Sequence, residues 1–186
     1  MSLTDRQTDR QTDRQTDRQT DRQTDRQTSG KRDKVKVFLV DDHPIVRDGV
    51  RSYLTNHSIS VVGEASTAKE ALRKVKKLAP DVIVVDVSLP DLDGGELTRR
   101  LRRIVPKAKI VAFSIHSGQE YVVQMARCGA HGYVTKDMPT ARLVEAIVRV
   151  SKGGIHFPAG MTDAILAPAL RRSKGRKRTG RASAKR

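Results

Sequence analysis

Carboxylate side chains stand at the ends of two apolar segments that are typical of β-strands. Asp41 and Asp42 directly follow the segment 35–40, and Asp86 directly follows the segment 82–85. In a parallel α/β sheet, ligands bind at the carboxyl ends of the strands, so we expect these side chains to meet there. Carboxylates that meet repel each other unless a cation joins them, and hard oxygen ligands suit Mg²⁺ together with a bound phosphate. The pattern therefore favours phosphoryl chemistry.

Short apolar segments alternate with helical patterns through the middle of the chain. The predicted strands are 35–40, 59–64, 82–87, 109–114 and 132–135. The predicted helices follow Pro44, follow a capping box that starts at Thr67, and span about 96–105, 119–128 and 140–151. This alternation indicates βαβ units and a parallel sheet that is covered on both faces. We therefore predict an α/β fold, a doubly wound (βα)5 sandwich with five parallel strands.

Composition limits the class of protein. The chain has 186 residues and a net charge of +16. Its one cysteine, Cys128, excludes an internal disulfide bond, which fits a cytoplasmic location. No apolar segment is long enough to cross a membrane, and no apolar stretch follows Met1 as a signal peptide requires, so we expect no membrane partner.

The two ends of the chain differ from its middle. The unit Thr-Asp-Arg-Gln repeats six times from Thr4 to Gln27. It has no large apolar side chain, so we predict that residues 1–30 are disordered. The tail from Arg171 to Arg186 is strongly basic and is also expected to be disordered. It is an arm that contacts nucleic-acid phosphates, a solvated and charged end, or the remaining linker of a missing domain, and the sequence leaves these open.

Motifs at the predicted strand ends carry a family resemblance. They are Asp41-Asp42-His43-Pro44, Asp86 with Leu89-Pro90-Asp91-Leu92-Asp93-Gly94, Ser114, and Gly132-Tyr133-Val134-Thr135-Lys136. Asp86 lies 44 residues after Asp42, Ser114 lies 28 after Asp86, and Lys136 lies 22 after Ser114. Residues 34–152 thus resemble a bacterial response regulator receiver domain, which implies a flavodoxin-like fold. Asp-Asp-His-Pro, Phe-Ser-Ile-His and Lys136-Asp137 resemble the NarL/FixJ (LuxR-type) regulators in particular.

The resemblance implies a role for each of these residues. Asp86 would be the phosphoacceptor of a two-component system. Asp41, Asp42 and Asp86 would hold Mg²⁺, with the backbone carbonyl of Ser88 as a further ligand.

The remaining motif residues would bind the phosphoryl group and report its arrival. Lys136 would pair with the phosphoryl oxygens, and the Ser114 hydroxyl would hydrogen-bond to the phosphoryl group. Ser114 would then move inward, and Tyr133 would fill the vacated space. This change would rearrange the face made by the fourth helix, the fifth strand and the fifth helix, where an output protein would dock.

Several residues also have plainer interpretations. Asp93 precedes Gly94 and is expected to cap a helix or turn rather than bind a metal. His43 and His116 are expected to support the site or lie on the surface, and a plain core role for Tyr133 is the alternative to its switch role. Cys128 is expected to pack in the core. The basic group Arg99, Arg100, Arg102 and Arg103 is either a solvated helix face or a docking site for an acidic partner.

The resemblance does not extend to an output domain. The expected organisation is a repeat over 1–30, a receiver over 31–154, and a short linker helix with a basic tail over 155–186. NarL/FixJ-type regulators continue into a helix-turn-helix domain, which the last residues are too few and too polar to form. We favour a stand-alone receiver that acts through protein contacts. A receiver whose tail contacts nucleic acid and a truncated copy of a two-domain regulator stay open as alternatives.

The expected partner is a sensor histidine kinase, and a homodimer that forms on phosphorylation is left open. We expect no enzymatic turnover beyond slow self-dephosphorylation. Phosphatases of the haloacid dehalogenase class also use an aspartyl nucleophile with Mg²⁺, but their second Asp is absent from Asp86-Val87-Ser88.

Overall fold

The computed structural model describes residues 34–161. The predicted disordered repeat at 1–30, most of the predicted linker helix at 161–170 and the basic tail lie outside the described residues. Within residues 34–161, no helix combines the length and the apolar character that crossing a bilayer demands.

Within residues 34–161, five strands alternate with five helices, in the order that the sequence predicts. The elements are β1 (Lys36–Val40), α1 (Pro44–Asn56), β2 (Ser60–Ala65), α2 (Ala68–Leu78), β3 (Val82–Asp86), α3 (Gly94–Ile104), β4 (Lys109–Ser114), α4 (Gln119–Cys128), β5 (Gly132–Thr135) and α5 (Thr140–Ser151). All strands are parallel, in the spatial order β2-β1-β3-β4-β5. The predicted doubly wound (βα)5 fold is confirmed.

The alternation of side chains along the strands divides the core between the two faces of the sheet. Val37 and Leu39 of β1 pack with residues of α1 and α5 on one face. Phe38 and Val40 point the other way and pack with α2 and α3, while α4 covers the sheet beside β5. Because successive side chains of a strand point to opposite faces, these central strands are apolar throughout.

Local capping fixes where the helices begin and end. The Thr67 side chain accepts a hydrogen bond from the Glu70 N–H, as the predicted capping box requires, but the Glu70 carboxylate accepts from Ser66 N–H rather than Thr67 N–H. Asp93 caps α3 by accepting from the N–H groups of two following residues, which confirms its predicted capping role. Gly129 ends α4 in the left-handed conformation, with a φ of 101°.

Some predicted boundaries were wrong by one or two residues. Strand β1 begins at Lys36, and β2 is shifted by one residue to Ser60–Ala65. Strand β3 ends at Asp86 rather than at residue 87, and α3 begins at Gly94 rather than at residue 96. Helix α3 starts early because the Asp93 carboxylate satisfies its first N–H groups, which offsets the low helix propensity of glycine.

The segment that follows α5 covers the edge of β5, which the sequence did not predict. The His156 N–H donates to the His131 carbonyl, and the Tyr133 N–H donates to the His156 carbonyl, so residue 156 pairs in parallel with Gly132. A Cβ atom at Gly132 would lie 3.0 Å from the His156 carbonyl oxygen, so glycine permits this close approach. Phe157 then packs against the cluster that surrounds Tyr133.

Candidate functional site

The fold places four of the predicted site residues along one edge of the sheet. Asp41 follows β1, Asp86 ends β3, Ser114 ends β4 and Lys136 follows β5. Because these four strands are parallel and adjacent, their carboxyl ends meet at this edge.

The carboxylates predicted to bind a cation form one cluster. Metal-ligating atoms of Asp41, Asp42, His43 and Asp86 all lie within 4.8 Å of one another. Asp41 is 5% exposed and Asp86 is 3% exposed, so water solvates their charges poorly.

Two oxygens of this cluster lack hydrogen bonds. Asp41 Oδ2 and Asp42 Oδ1 are buried and accept no hydrogen bond of good geometry, although Asp41 Oδ2 lies 2.6 Å from Lys136 Nζ and Asp42 Oδ1 lies 2.9 Å from His43 Nδ1. Buried oxygens without hydrogen bonds are costly unless a positive charge is close to them. Crowded carboxylate oxygens of this kind fit a hard divalent cation, so the cluster can bind a metal.

Lys136 provides the positive charge that faces these carboxylates. Its Nζ lies 2.6 Å from Asp86 Oδ2 and 2.6 Å from Asp41 Oδ2. Burial is the largest single effect and opposes the ammonium charge, but the carboxylates of Asp41 and Asp86 together outweigh it, so the pKa of Lys136 is raised above its usual value. Lys136 is therefore charged and stands beside the predicted phosphoacceptor.

The other carboxylate oxygen of Asp86 is held by backbone. Asp86 Oδ1 accepts a hydrogen bond of 2.9 Å from the Ser88 N–H. The Ser88 hydroxyl in turn lies 3.3 Å from His116 Nε2. The metal role of the Ser88 carbonyl stays a prediction, as do the roles assigned to the other site residues.

His116 joins the two predicted switch residues. Its N–H donates to Ser114 Oγ at 3.1 Å, and its carbonyl accepts from the Tyr133 hydroxyl at 2.7 Å. Its ring stacks on Tyr121, with ring centroids 4.3 Å apart. His116 was predicted only as a supporting or surface residue, and no sequence pattern indicated its backbone contacts.

Tyr133 already lies inside the protein. Its side chain is 1% exposed, and burial raises the pKa of its hydroxyl. Burial of the ring fits both the switch and the core interpretation of Tyr133, and its change of rotamer on phosphorylation stays a prediction.

His43 was also predicted to support the site or lie on the surface. Its ring is 62% exposed, but its Nδ1 faces the carboxylate cluster.

Comparison with known proteins gives this site a family. The family model described as "Response regulator receiver domain" matches residues 37–148. The chain is 36% identical over 137 residues to the transcriptional regulatory protein MctR of Rhizobium johnstonii, covering 73% of this chain and 64% of that protein. It is 32% identical over 117 residues to the chemotaxis protein CheY of Thermotoga maritima, covering 63% of this chain and 98% of that protein.

A solved structure shares the same fold. The crystal structure of a two-component response regulator of the LuxR family from Aurantimonas sp. has a TM-score of 0.66 and 36% identity, covering 74% of this chain and 99% of that chain. The chain spans 64%, 57% and 56% of the lengths of three curated regulators that it matches. The family match covers the strand ends that carry Asp41, Asp86, Ser114 and Lys136. This chain therefore belongs to the response regulator receiver family.

Proposed function

We propose that the chain is a response regulator that accepts a phosphoryl group on Asp86 from a sensor histidine kinase or a small phosphodonor in the cytoplasm. The observation that carries the proposal is the pairing of the buried Asp86 carboxylate with Lys136 Nζ at 2.6 Å, next to the carboxylates of Asp41 and Asp42. A nucleophilic carboxylate, a mobile point charge and a cation-binding cluster are the parts that phosphoryl transfer needs.

The chain's own residues position the reacting groups. Asp41, Asp42, Asp86 and the Ser88 carbonyl would hold Mg²⁺, which when bound neutralises charge on the phosphoryl oxygens. An Asp86 oxygen forms the new bond to phosphorus while the bond to the donor atom breaks, and the leaving group keeps the electron pair. Lys136 Nζ pairs with the phosphoryl oxygens as they arrive. The Ser114 hydroxyl accepts from the His116 N–H, so its own hydrogen would be the one donated to the phosphoryl group.

The same contacts would transmit the signal. Movement of Ser114 towards the phosphoryl group pulls on the His116 N–H, and the His116 carbonyl holds the Tyr133 hydroxyl. The added charge of about −1.5 to −2 thus biases the packing of α4, β5 and α5. We assign this α4–β5–α5 face to the output protein, and we keep a phosphorylation-dependent homodimer as a proposal for the same face.

Exposed apolar side chains suit docking of a phosphodonor protein. Ile45, Ile115 and Met138 are 88%, 69% and 45% exposed, and they come from three different segments that border the acidic edge of the sheet. Apolar residues around a charged centre are typical of protein interfaces, so these three fit a helix of the kinase that carries the phosphorylated histidine.

The experiment measures phosphorylation by intact-mass analysis with acetyl phosphate as donor. Wild-type chain with Mg²⁺ should gain one phosphoryl group, whereas Asp86→Asn and wild-type chain in a chelator should gain none. Asp81→Asn is the control, because Asp81 lies at the opposite edge of the sheet, before β3. Labelling of Asp86→Asn at the wild-type rate would show that another residue is the acceptor. In this proposal the chain is a phosphoacceptor and not an enzyme that turns over a substrate.

The output is proposed to act through protein contacts, as a stand-alone receiver. One relative named a chemotaxis protein is matched over nearly its whole length, whereas the relatives named transcriptional regulators extend further. The alternative is DNA-binding transcriptional regulation, through the basic tail or as a truncated copy of a two-domain regulator. Size-exclusion chromatography and DNA binding, each with and without acetyl phosphate, separate these outputs.

A further inference from the structure

The helices on the two faces of the sheet carry very different charges. Helices α2 and α3 together contain nine lysines and arginines but only two glutamates. Helices α1 and α5 together contain four arginines and two acidic residues. The described residues as a whole contain 20 lysines and arginines and 13 acidic residues. The excess of positive over negative side chains is therefore seven both for the described residues as a whole and for α2 and α3 alone.

Some cations on or beside α2 and α3 are exposed and make no ion pair with a described residue. Arg73, Lys76 and Lys77 are exposed and make no ion pair with any described carboxylate. Their spacing of three and four residues places them on one face of α2. Arg103 at the end of α3 and Lys107 in the next turn are exposed and lack an ion pair with the described residues in the same way. We call these five residues the α2–α3 basic surface.

Helix capping accounts for only part of this charge. Cations in the last turn of a helix interact favourably with the helix dipole, which explains Lys76, Lys77 and Arg103. Arg73 lies in the middle of α2 and Lys107 lies beyond α3, so the dipole does not explain them. On the same side of the sheet, Arg99 and Arg100 share the single carboxylate of Glu96, which leaves a net positive charge there too.

We propose that the α2–α3 basic surface binds the phosphate backbone of double-stranded DNA without reading its sequence. Contacts to phosphates need cations and no apolar anchor, because the release of condensed counterions drives them. Among the described residues of α2 and α3, Ile104 is the one large apolar side chain counted as exposed, at 39%. A protein interface needs buried aromatic or aliphatic anchors, and a helix lying in a membrane interface needs an apolar face.

The expected spacing of these cations is comparable with the spacing of phosphates on DNA. Arg73 and Lys77 are four residues apart, about 6 Å along the axis of α2. Packed helices such as α2 and α3 have axes about 8–10 Å apart. A duplex carries one phosphate for about every 1.7 Å of its axis, so a 10 Å length presents roughly six phosphates. These phosphates belong to both strands and lie around the whole duplex, so the five cations are enough to neutralise those on its near side.

The test compares two charge-matched variants of the full chain, both in the unphosphorylated state. Arg73→Gln/Lys76→Gln/Lys77→Gln removes three charges from the basic surface. Arg142→Gln/Arg149→Gln/Lys152→Gln removes three exposed charges on and just after α5, on the other face of the sheet. Both variants keep the basic tail, so its contribution cancels. Thermal unfolding checks that both variants fold as the wild type does.

Binding is measured by anisotropy of a short labelled duplex of mixed sequence, over a salt series from about 50 to 200 mM. We expect the α2 variant to bind at least about tenfold more weakly at the lowest salt, with a plot of log K against log salt that is shallower by about 2 to 3. The α5 variant should keep the wild-type slope. Equal weakening of both variants, or no weakening of the α2 variant, would overturn the proposal.

Two further probes distinguish DNA from other anionic partners. Polyglutamate represents an acidic protein, and vesicles of anionic lipid represent a membrane surface. Tighter binding of either probe than of the duplex, lost in the α2 variant, would assign the surface to that class of partner and overturn the proposal. Because the surface does not include Asp86, failure of phosphorylation at Asp86 leaves this result unaffected, and the two failures are distinguishable.

Discussion

Replacing Lys136 tests whether its ammonium group offsets the repulsion between the buried carboxylates of Asp41 and Asp86. In Lys136→Met, the carboxylates of Asp41 and Asp86, 5% and 3% exposed, lose the ammonium that lies 2.6 Å from each of them. Removing one partner of a buried ion pair costs about 3–5 kcal/mol because the remaining charge stays buried and unpaired. For a domain of this size, such a loss lowers the unfolding temperature by about 10–20 °C.

The assay is thermal and urea unfolding of both proteins, first in a chelator and then in millimolar Mg²⁺. Mg²⁺ should raise the free energy of unfolding more in the variant than in the wild type, because the metal ion replaces the charge of the missing ammonium. At a Mg²⁺ concentration 100 times the dissociation constant, binding stabilises the folded state by about 2.7 kcal/mol. Lys152→Met is the control, since Lys152 is exposed and makes no ion pair with a described residue. A Lys136→Met protein within about 1 kcal/mol of wild type in the chelator would refute the reasoning.

Three further perturbations test other parts of the structure. Burial lowers the pKa of His131 from 6.5 to about 4, so as the pH falls the unfolded chain takes up a proton before the folded chain does. The free energy of unfolding should therefore fall by at most about 3 kcal/mol between pH 6.5 and pH 4. Urea unfolding at several pH values measures this. Gly94→Ala should destabilise the fold by about 2 kcal/mol or more, because the new Cβ atom would lie 2.6 Å from the Val87 Cα atom. Gly49→Ala is the matched control inside α1. Its Cβ atom would meet nothing within 4 Å, so this substitution should stabilise the fold by about 0.5–1 kcal/mol. Phe157→Ala should weaken the segment on the β5 edge and speed hydrogen exchange at the Tyr133 amide, as followed by NMR.

Each of these has an outcome that would contradict it. The same loss of stability at low pH in His131→Gln would show that other groups cause it. Equal effects of the two glycine substitutions would mean that the turn after β3 is not tightly packed. Unchanged exchange at Tyr133, with faster exchange elsewhere, would show that Phe157 does not hold the His156 pairing.

The sequence predicted the parts of the fold that local chemistry determines. The bounds of β4, α4, β5 and α5 were predicted as observed, because polar residues and Gly129 mark their ends clearly. The start of α3 was not, because Gly94 and Gly95 are poor helix formers and only the Asp93 cap makes helix favourable there.

Contacts between distant parts of the chain could not be predicted in this way. The carboxylate cluster was foreseen, because parallel strands bring their carboxyl ends together wherever they pair. The pairing of His156 with β5 was missed, since it uses backbone groups that every residue possesses. The contacts of His116 with Ser114 and Tyr133 are likewise made by its backbone, which no side-chain pattern reveals.

The acidic site and the α2–α3 basic surface lie at different places along the strand direction. A chelator should therefore distinguish phosphorylation from DNA binding. The carboxylates of Asp41, Asp42 and Asp86 lie at the carboxyl edge of the sheet, near helix N-termini, whereas Lys76 and Lys77 lie at the C-terminal end of α2. Helix dipoles favour both arrangements. An anionic phosphodonor that approaches the acidic edge is repelled unless a divalent cation is present, while DNA phosphates meet a net positive charge at the α2–α3 basic surface. A chelator should therefore abolish phosphorylation and leave DNA binding intact; loss of both together would mean that one site serves both anions.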